Sequence, residues 1–283
     1  MKWHVLDTSA PRKLASARSH AHWAAQVVAA VGETHAAHVP DTSHTAMEFD
    51  PVGARLLGTP LDTPDGSLRA AFSVERLTLQ LIDPNGEPLA SRALAGATLD
   101  DALQWMGETL ESHSRGSFPA GLMRPDYPIP LHPLASGARF ESDGPALAEL
   151  AGWFSNAHTA LMGLTTREER TPILCWPHHF DLATLLVVER SPSGEMTKTI
   201  GVGLSPGDDS IDEPYWYVNH WPAHSERGSP LAELPLGRWH TEGSTSAALS
   251  GSELTSRADA THQQTAVQRF LEAAIQANRE VLS

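Results

Sequence analysis

The 283-residue chain has a single cysteine, Cys175, which excludes internal disulfides and any cysteine-rich zinc site. Basic residues are scarce: 20 Lys+Arg face 34 Asp+Glu, giving a net charge of −14, and lysine is confined to positions 2, 13 and 198. Such a balance repels phosphate backbones and anionic lipid, so the chain is expected to bind neither nucleic acid nor membrane. The lysine deficit fits genomic base composition or a salty habitat and carries no functional weight. Long apolar runs are missing as well. Segment 182–188 is typical of those present, whereas a membrane helix needs about 20 consecutive apolar residues. Residues 1–14 include His4, Asp7, Arg12 and Lys13 without an apolar stretch or small-residue cleavage site, a pattern unlike a secretory signal and pointing to a cytoplasmic protein.

What is present is a 41% hydrophobic content, ample for a core, with 15 histidines and 8 tryptophans. Apolar residues at three- and four-residue steps over 14–31, with Gly32 beyond, predict a helix. Alternation over 68–82 predicts strands, the tetrapeptide Asp83-Pro84-Asn85-Gly86 a tight turn, and 87–94 the return strand. Thr98 and Asp101 form a capping-box signal for a helix with Leu103, Met106 and Leu110 inward. The Pro- and Gly-rich stretch 116–144 reads as a connection. A second helix follows over 145–164. Strands are then predicted at 172–176, 181–189, 197–204 and 215–221, with a short piece at 238–242. The last helix presents Val267, Phe270, Leu271, Ala274, Ile275 and Val281. The pattern predicts an α+β fold, mainly antiparallel sheet with helices packed on it. It divides into two similar helix-strands-helix halves, 1–115 and 145–283, joined by 116–144, or forms one compact domain overall.

Several motifs fail on their mechanics. Gly203-Leu204-Ser205-Pro206-Gly207 matches a serine nucleophile elbow, but Pro206 has no N–H to donate to an oxyanion and no helix follows. Gly201 and Gly203 begin a dinucleotide fingerprint but do not complete it, because Pro206 sits where the third glycine belongs and no crossover helix follows. The acidic run 207–213 reads as a solvated turn rather than a cation loop. His35 and His38 flank a turn and read as surface or cap groups.

The chemistry concentrates in the second half. Strand alternation places His179 and Asp181 on one face, separates His220 from Tyr215 and Tyr217, and pairs His240 with Glu242. Convergence of His179, Asp181, His220 and His240 would supply the imidazole-plus-carboxylate set that zinc, iron or manganese accepts. His179, Asp181 and Glu242 are the catalytic candidates, Asp181 and Glu242 also as a metal-free acid–base pair. Trp176, Tyr215, Tyr217 and Trp239 are the candidates to line a ligand cleft. The competing reading makes these histidines internally satisfied and the protein a non-catalytic interaction module, with self-association through an exposed face.

The runs His22-Trp23-Ala24-Ala25-Gln26-Val27-Val28 and Pro172-Ile173-Leu174-Cys175-Trp176-Pro177-His178-His179-Phe180-Asp181-Leu182-Ala183 resemble the bacterial group catalogued as domain of unknown function 5996. Tyr127-Pro128-Ile129-Pro130-Leu131, the 203–207 segment and Pro214-Tyr215-Trp216-Tyr217 extend the resemblance over most of the chain. Pro177-His178-His179 departs from the family pattern, so the resemblance adds nothing to a metal role for these histidines. It implies a bacterial origin and an architecture, and no activity.

Overall fold

The computed structural model describes residues 2–7, 11–223, 231–241, 245–257 and 259–283. In chain order the elements are α1 (Ala15–His35), β1 (Met47–Asp50), β2 (Arg55–Leu57), β3 (Leu61–Thr63), β4 (Gly66–Ser73), β5 (Thr78–Ile82), β6 (Pro88–Ala93), α2 (Leu99–His113) and α3 (Gly144–Met162). There follow β7 (Glu169–Arg170), β8 (Leu174–Trp176), β9 (Asp181–Arg190), β10 (Met196–Ser205), β11 (Tyr215–Trp221), β12 (Arg238–His240), β13 (Ser246–Ser250), α4 (Gly251–Thr255) and α5 (Ala260–Leu282). Every strand pair with an assigned register among the described residues is antiparallel, so the chain is α+β.

Two compact units divide the chain, one holding 14–151 and 174–180, the other 2–7, 11–13, 152–173 and most of 181–283. The boundary falls inside α3, a few residues beyond position 145. The segment 116–144 belongs to the first unit, and each unit takes in a short piece of chain that sequence order assigns to the other half.

In the first unit the strand order is β8-β1-β2-β4-β5-β6, with β3 on β4. Helix α1 packs on β4 and α2 on β5. Helix α1 is buried from Ala21 to Gly32, which its small alanine and valine side chains permit. It runs past Gly32, the expected stop, to His35. That glycine serves close packing instead: a Cβ there would lie 2.2 Å from the His44 carbonyl oxygen. The capping box of α2 forms as read, Thr98 Oγ1 accepting from the Asp101 N–H at 3.1 Å and Asp101 accepting from the Thr98 N–H at 2.9 Å.

In the second unit the order is β12-β13-β11-β10-β9, with β7 on β9. Helix α5 crosses β10, β11 and β13. Its buried face includes Val267, Phe270, Leu271, Ala274 and Ile275, and at the last turn Leu282 takes the buried place expected of Val281. Trp216 and Phe270 are fully buried, and truncating either to alanine is worth about 3–5 kcal/mol.

Candidate functional site

The site is built on β9, β10 and β11. Gly203 stands opposite Ala183 on one side and Tyr217 on the other, and Ser205 opposite Tyr215. Directly paired residues share a sheet face. One face therefore carries Leu186, Ile200 and His220 toward α5, and the opposite face carries Asp181, Gly203, Ser205, Tyr215, Tyr217 and Asn219. The glycines of that second face are seats. A Cβ on Gly203 would meet Tyr217 Cζ and Oη at 2.7 Å, and one on Gly201 would meet Asn219 Oδ1 at 2.4 Å. With no side chain below it, the Tyr217 ring lies across β10 and its hydroxyl donates to the Asp181 carboxylate, which is buried on β9.

A second tyrosine–aspartate pair lies beside it. The Tyr215 hydroxyl donates to Asp208 Oδ2 at 2.5 Å, while Asp208 Oδ1 accepts the backbone N–H groups of Ser210 and Ile211 at 2.7 and 2.9 Å. Burial, then the neighbouring Asp208 carboxylate, pushes the Tyr215 phenol above its ordinary value, so it stays protonated at neutral pH. The acidic run is thus partly structural. Asp208 ties its own loop, and Glu213 accepts from Ser252 N–H and Oγ at 2.7 and 2.5 Å. Ser205 Oγ accepts from the Gly207 N–H at 3.2 Å, a turn-closing role in place of a nucleophile's.

Over this face opens a cleft of about 530 Å³ lined by Asp208, Ser210, Ile211, Tyr215, Trp239, His240, Thr241, Ser246 and Ala248. Of the cleft candidates from sequence, Tyr215 and Trp239 line it, and Tyr217 lies on the same sheet face. Trp176 belongs to the other unit, where its ring stands 6.1 Å from that of His178.

The proposed metal set is not assembled. His220 and Asp181 are on opposite faces of the sheet, and His220 Nδ1 is hydrogen-bonded to Asn278 Oδ1 of α5 at 2.6 Å. His179 is not on a strand. Residues 177–180 form a turn closed by the His179 and Phe180 N–H groups on the Trp176 carbonyl, at 3.2 and 2.6 Å, with Phe180 left-handed at φ 57°. Strand alternation therefore does not apply between His179 and Asp181. His240 lines the cleft, and Glu242 lies outside the described residues. Among the described residues, the group of three ligand atoms within 4.8 Å of one another is elsewhere, at Glu33, His38 and His44.

That same turn is the focus of a buried polar knot in the first unit. Gln26 Nε2 donates to the Pro177 carbonyl at 2.8 Å, Gln26 Oε1 accepts from the Tyr127 hydroxyl at 2.8 Å, and His22 Nε2 bonds the Pro177 carbonyl at 2.7 Å. The His22 ring stacks on Phe180 at 5.2 Å between centroids. Burial holds His22 down to about 4, against the partial opposition of its Pro177 bond, so the ring is neutral. His178 is likewise lowered to about 4 by burial and by His179, whose ring is 4.1 Å away. The resemblance marked the His22–Gln26 and Trp176–Phe180 segments, but the sequence did not reveal that they meet. No family model, curated protein or solved structure matches the chain.

Proposed function

We propose that this is a cytoplasmic small-molecule-binding protein whose ligand occupies the cleft over β11–β13 and carries a positive charge beside an apolar or aromatic body. The observation that carries the reading is the Asp208–Tyr215 pair in the cleft wall, with Trp239 and His240 also lining it. Concave sites with a few convergent polar groups among aromatic walls are the usual form of ligand pockets. A carboxylate accepts about four hydrogen bonds and Asp208 uses three on protein groups, leaving room for an ammonium donor. The net charge of −14 favours the approach of a cation.

The proposal assigns no reaction. His220 bonds Asn278 and faces α5, so it is not placed for acid–base work at this cleft. The resemblance to the bacterial domain of unknown function 5996 belongs to the same proposal.

Thermal unfolding with increasing phenethylamine tests the reading. Binding to the native state raises the transition temperature with concentration. The rise is expected in the wild type and absent in Trp239→Ala. No rise, or an equal rise in the variant, rejects the cleft as the site.

A further inference from the structure

We propose that Glu33, His38 and His44 form a binding site for one divalent late first-row transition-metal ion, a site separate from the cleft. The three side chains each turn one ligand atom to a common point, all within 4.8 Å of one another. His44 Nε2 lies 3.2 Å from Glu33 Oε2, His38 Nε2 lies 3.9 Å from Glu33 Oε1, and the two imidazole centroids are 4.5 Å apart. Contraction by a few tenths of an ångström to about 2.0–2.2 Å from a central ion is what such an arrangement needs.

The placement is built into the fold. Glu33 and Gly32 belong to the last turn of α1, and the missing Cβ at Gly32 lets the His44 carbonyl pack against the helix. The Thr59 hydroxyl holds that carbonyl at 2.8 Å, so His44 is anchored from two sides with its side chain 5% exposed. Between the two histidines the chain reverses through Asp41, whose carboxylate accepts from Ser43 N–H and Oγ, and through left-handed Thr42 at φ 60°. His38, 63% exposed, is held over the His44 ring by a 3.0 Å hydrogen bond from Nε2 to the Glu33 carbonyl, which keeps its ligand nitrogen beside the Glu33 carboxylate.

The donor chemistry chooses the class of ion. Two imidazoles with one carboxylate suit zinc, iron, cobalt, nickel or copper and not the oxygen-preferring magnesium or calcium. Three protein ligands leave a position for water, and His44 also lines a cleft of about 430 Å³, with His35, Asp62 and Phe118 in its walls. Two contacts must change on binding: His38 Nε2 lies 3.0 Å from the Glu33 carbonyl oxygen and must give up that bond to ligate, and the second is at His44. The Val39 N–H approaches His44 Nδ1 at 3.4 Å, and an imidazole ligating through Nε2 carries its proton on Nδ1, so the Val39 amide must turn away.

Titration of zinc chloride into chelator-stripped full-length protein, followed by calorimetry, tests the site. One zinc per chain is expected, with affinity weakened about tenfold or more in both His38→Ala and Glu33→Gln and unchanged in His113→Ala and Asp208→Asn. Circular dichroism of each variant establishes that it is folded, and the Val39 amide resonance is expected to move on zinc addition to the wild type. Absence of stoichiometric uptake by the wild type overturns the proposal. So does wild-type affinity in folded His38→Ala and Glu33→Gln.

Discussion

Gly203 is the residue on which the tyrosine face rests, and replacing it with alanine gives a sharp quantitative expectation. The added Cβ would sit 2.7 Å from Tyr217 Cζ and Oη and 2.9 Å from Ala183 Cβ, closer than packed carbon atoms come. Overpacking of this kind costs about 1–3 kcal/mol. The ring can escape only by lifting off β10, which breaks its hydrogen bond to the Asp181 carboxylate, a bond to a charged group worth about 1.5–3 kcal/mol. Because lifting relieves part of the clash, the two do not add fully, and Gly203→Ala is expected to destabilise by about 2–4 kcal/mol. In a Tyr217→Ala background the ring is gone. The remaining Ala183 contact is then offset by the roughly 0.5–1 kcal/mol that alanine gains over glycine within a strand. The double-mutant cycle should therefore show a coupling of about 2–4 kcal/mol between positions 203 and 217. Urea unfolding of the four proteins, followed by tryptophan fluorescence, measures it. Equal destabilisation by Gly203→Ala with and without Tyr217 would refute the seat argument.

Three further outcomes follow from the same geometry. Gly32→Ala places a Cβ 2.2 Å from a backbone oxygen that cannot rotate away, and is expected to cost about 3 kcal/mol or more in urea unfolding; a loss under about 1 kcal/mol would contradict the packing of His44 on α1. Asn278→Ala removes the acceptor of buried His220 and the α5 side chain that bonds Ala274 O, with an expected loss of about 1–3 kcal/mol, and an unchanged urea midpoint would count against it. His22 titrates near 4 when folded against about 6.5 unfolded, so between those values the unfolded chain holds more protons and stability falls as pH is lowered. The His22 contribution is intact above pH 6.5 and amounts to about 3 kcal/mol lost by pH 4. His20, His35, His132, His158 and His178 are lowered in the same direction by burial and steepen the fall. Urea midpoints between pH 7 and 5 should drop less in His22→Gln than in the wild type, and identical slopes would refute the assignment.

Local signals carried the elements whose causes are local. The three- and four-residue spacing of α1, the Thr98/Asp101 box of α2 and the alternation that sets Trp216, Val218 and His220 apart from Tyr215 and Tyr217 were all readable, because each depends on neighbours within one element. The proposed metal set failed for a different reason. It assumed a strand through 176–181, but Phe180 adopts a left-handed conformation that a bulky side chain does not advertise, and the turn it closes breaks the alternation. The Tyr217–Asp181 contact spans β10 and depends on two registers at once, so nothing within either strand reveals it. Gly201 and Gly203 looked like fragments of nucleotide or nucleophile motifs, and their meaning appears only with Asn219 and Tyr217 lying over them. Likewise His38 and His44 show their relation to Glu33 only after Gly32 admits the chain against α1.

On the proposed function, the cleft beside Asp208 and Tyr215 selects a cationic small molecule. Saturation-transfer NMR on an equimolar mixture of phenethylamine, phenylacetate and benzyl alcohol tests it most directly, since the three share a ring and differ in charge. Transfer to the amine above both competitors is expected in the wild type, with loss of that preference in Asp208→Asn. Preference for the acid or alcohol, no transfer to the amine, or an amine preference untouched in Asp208→Asn would contradict it.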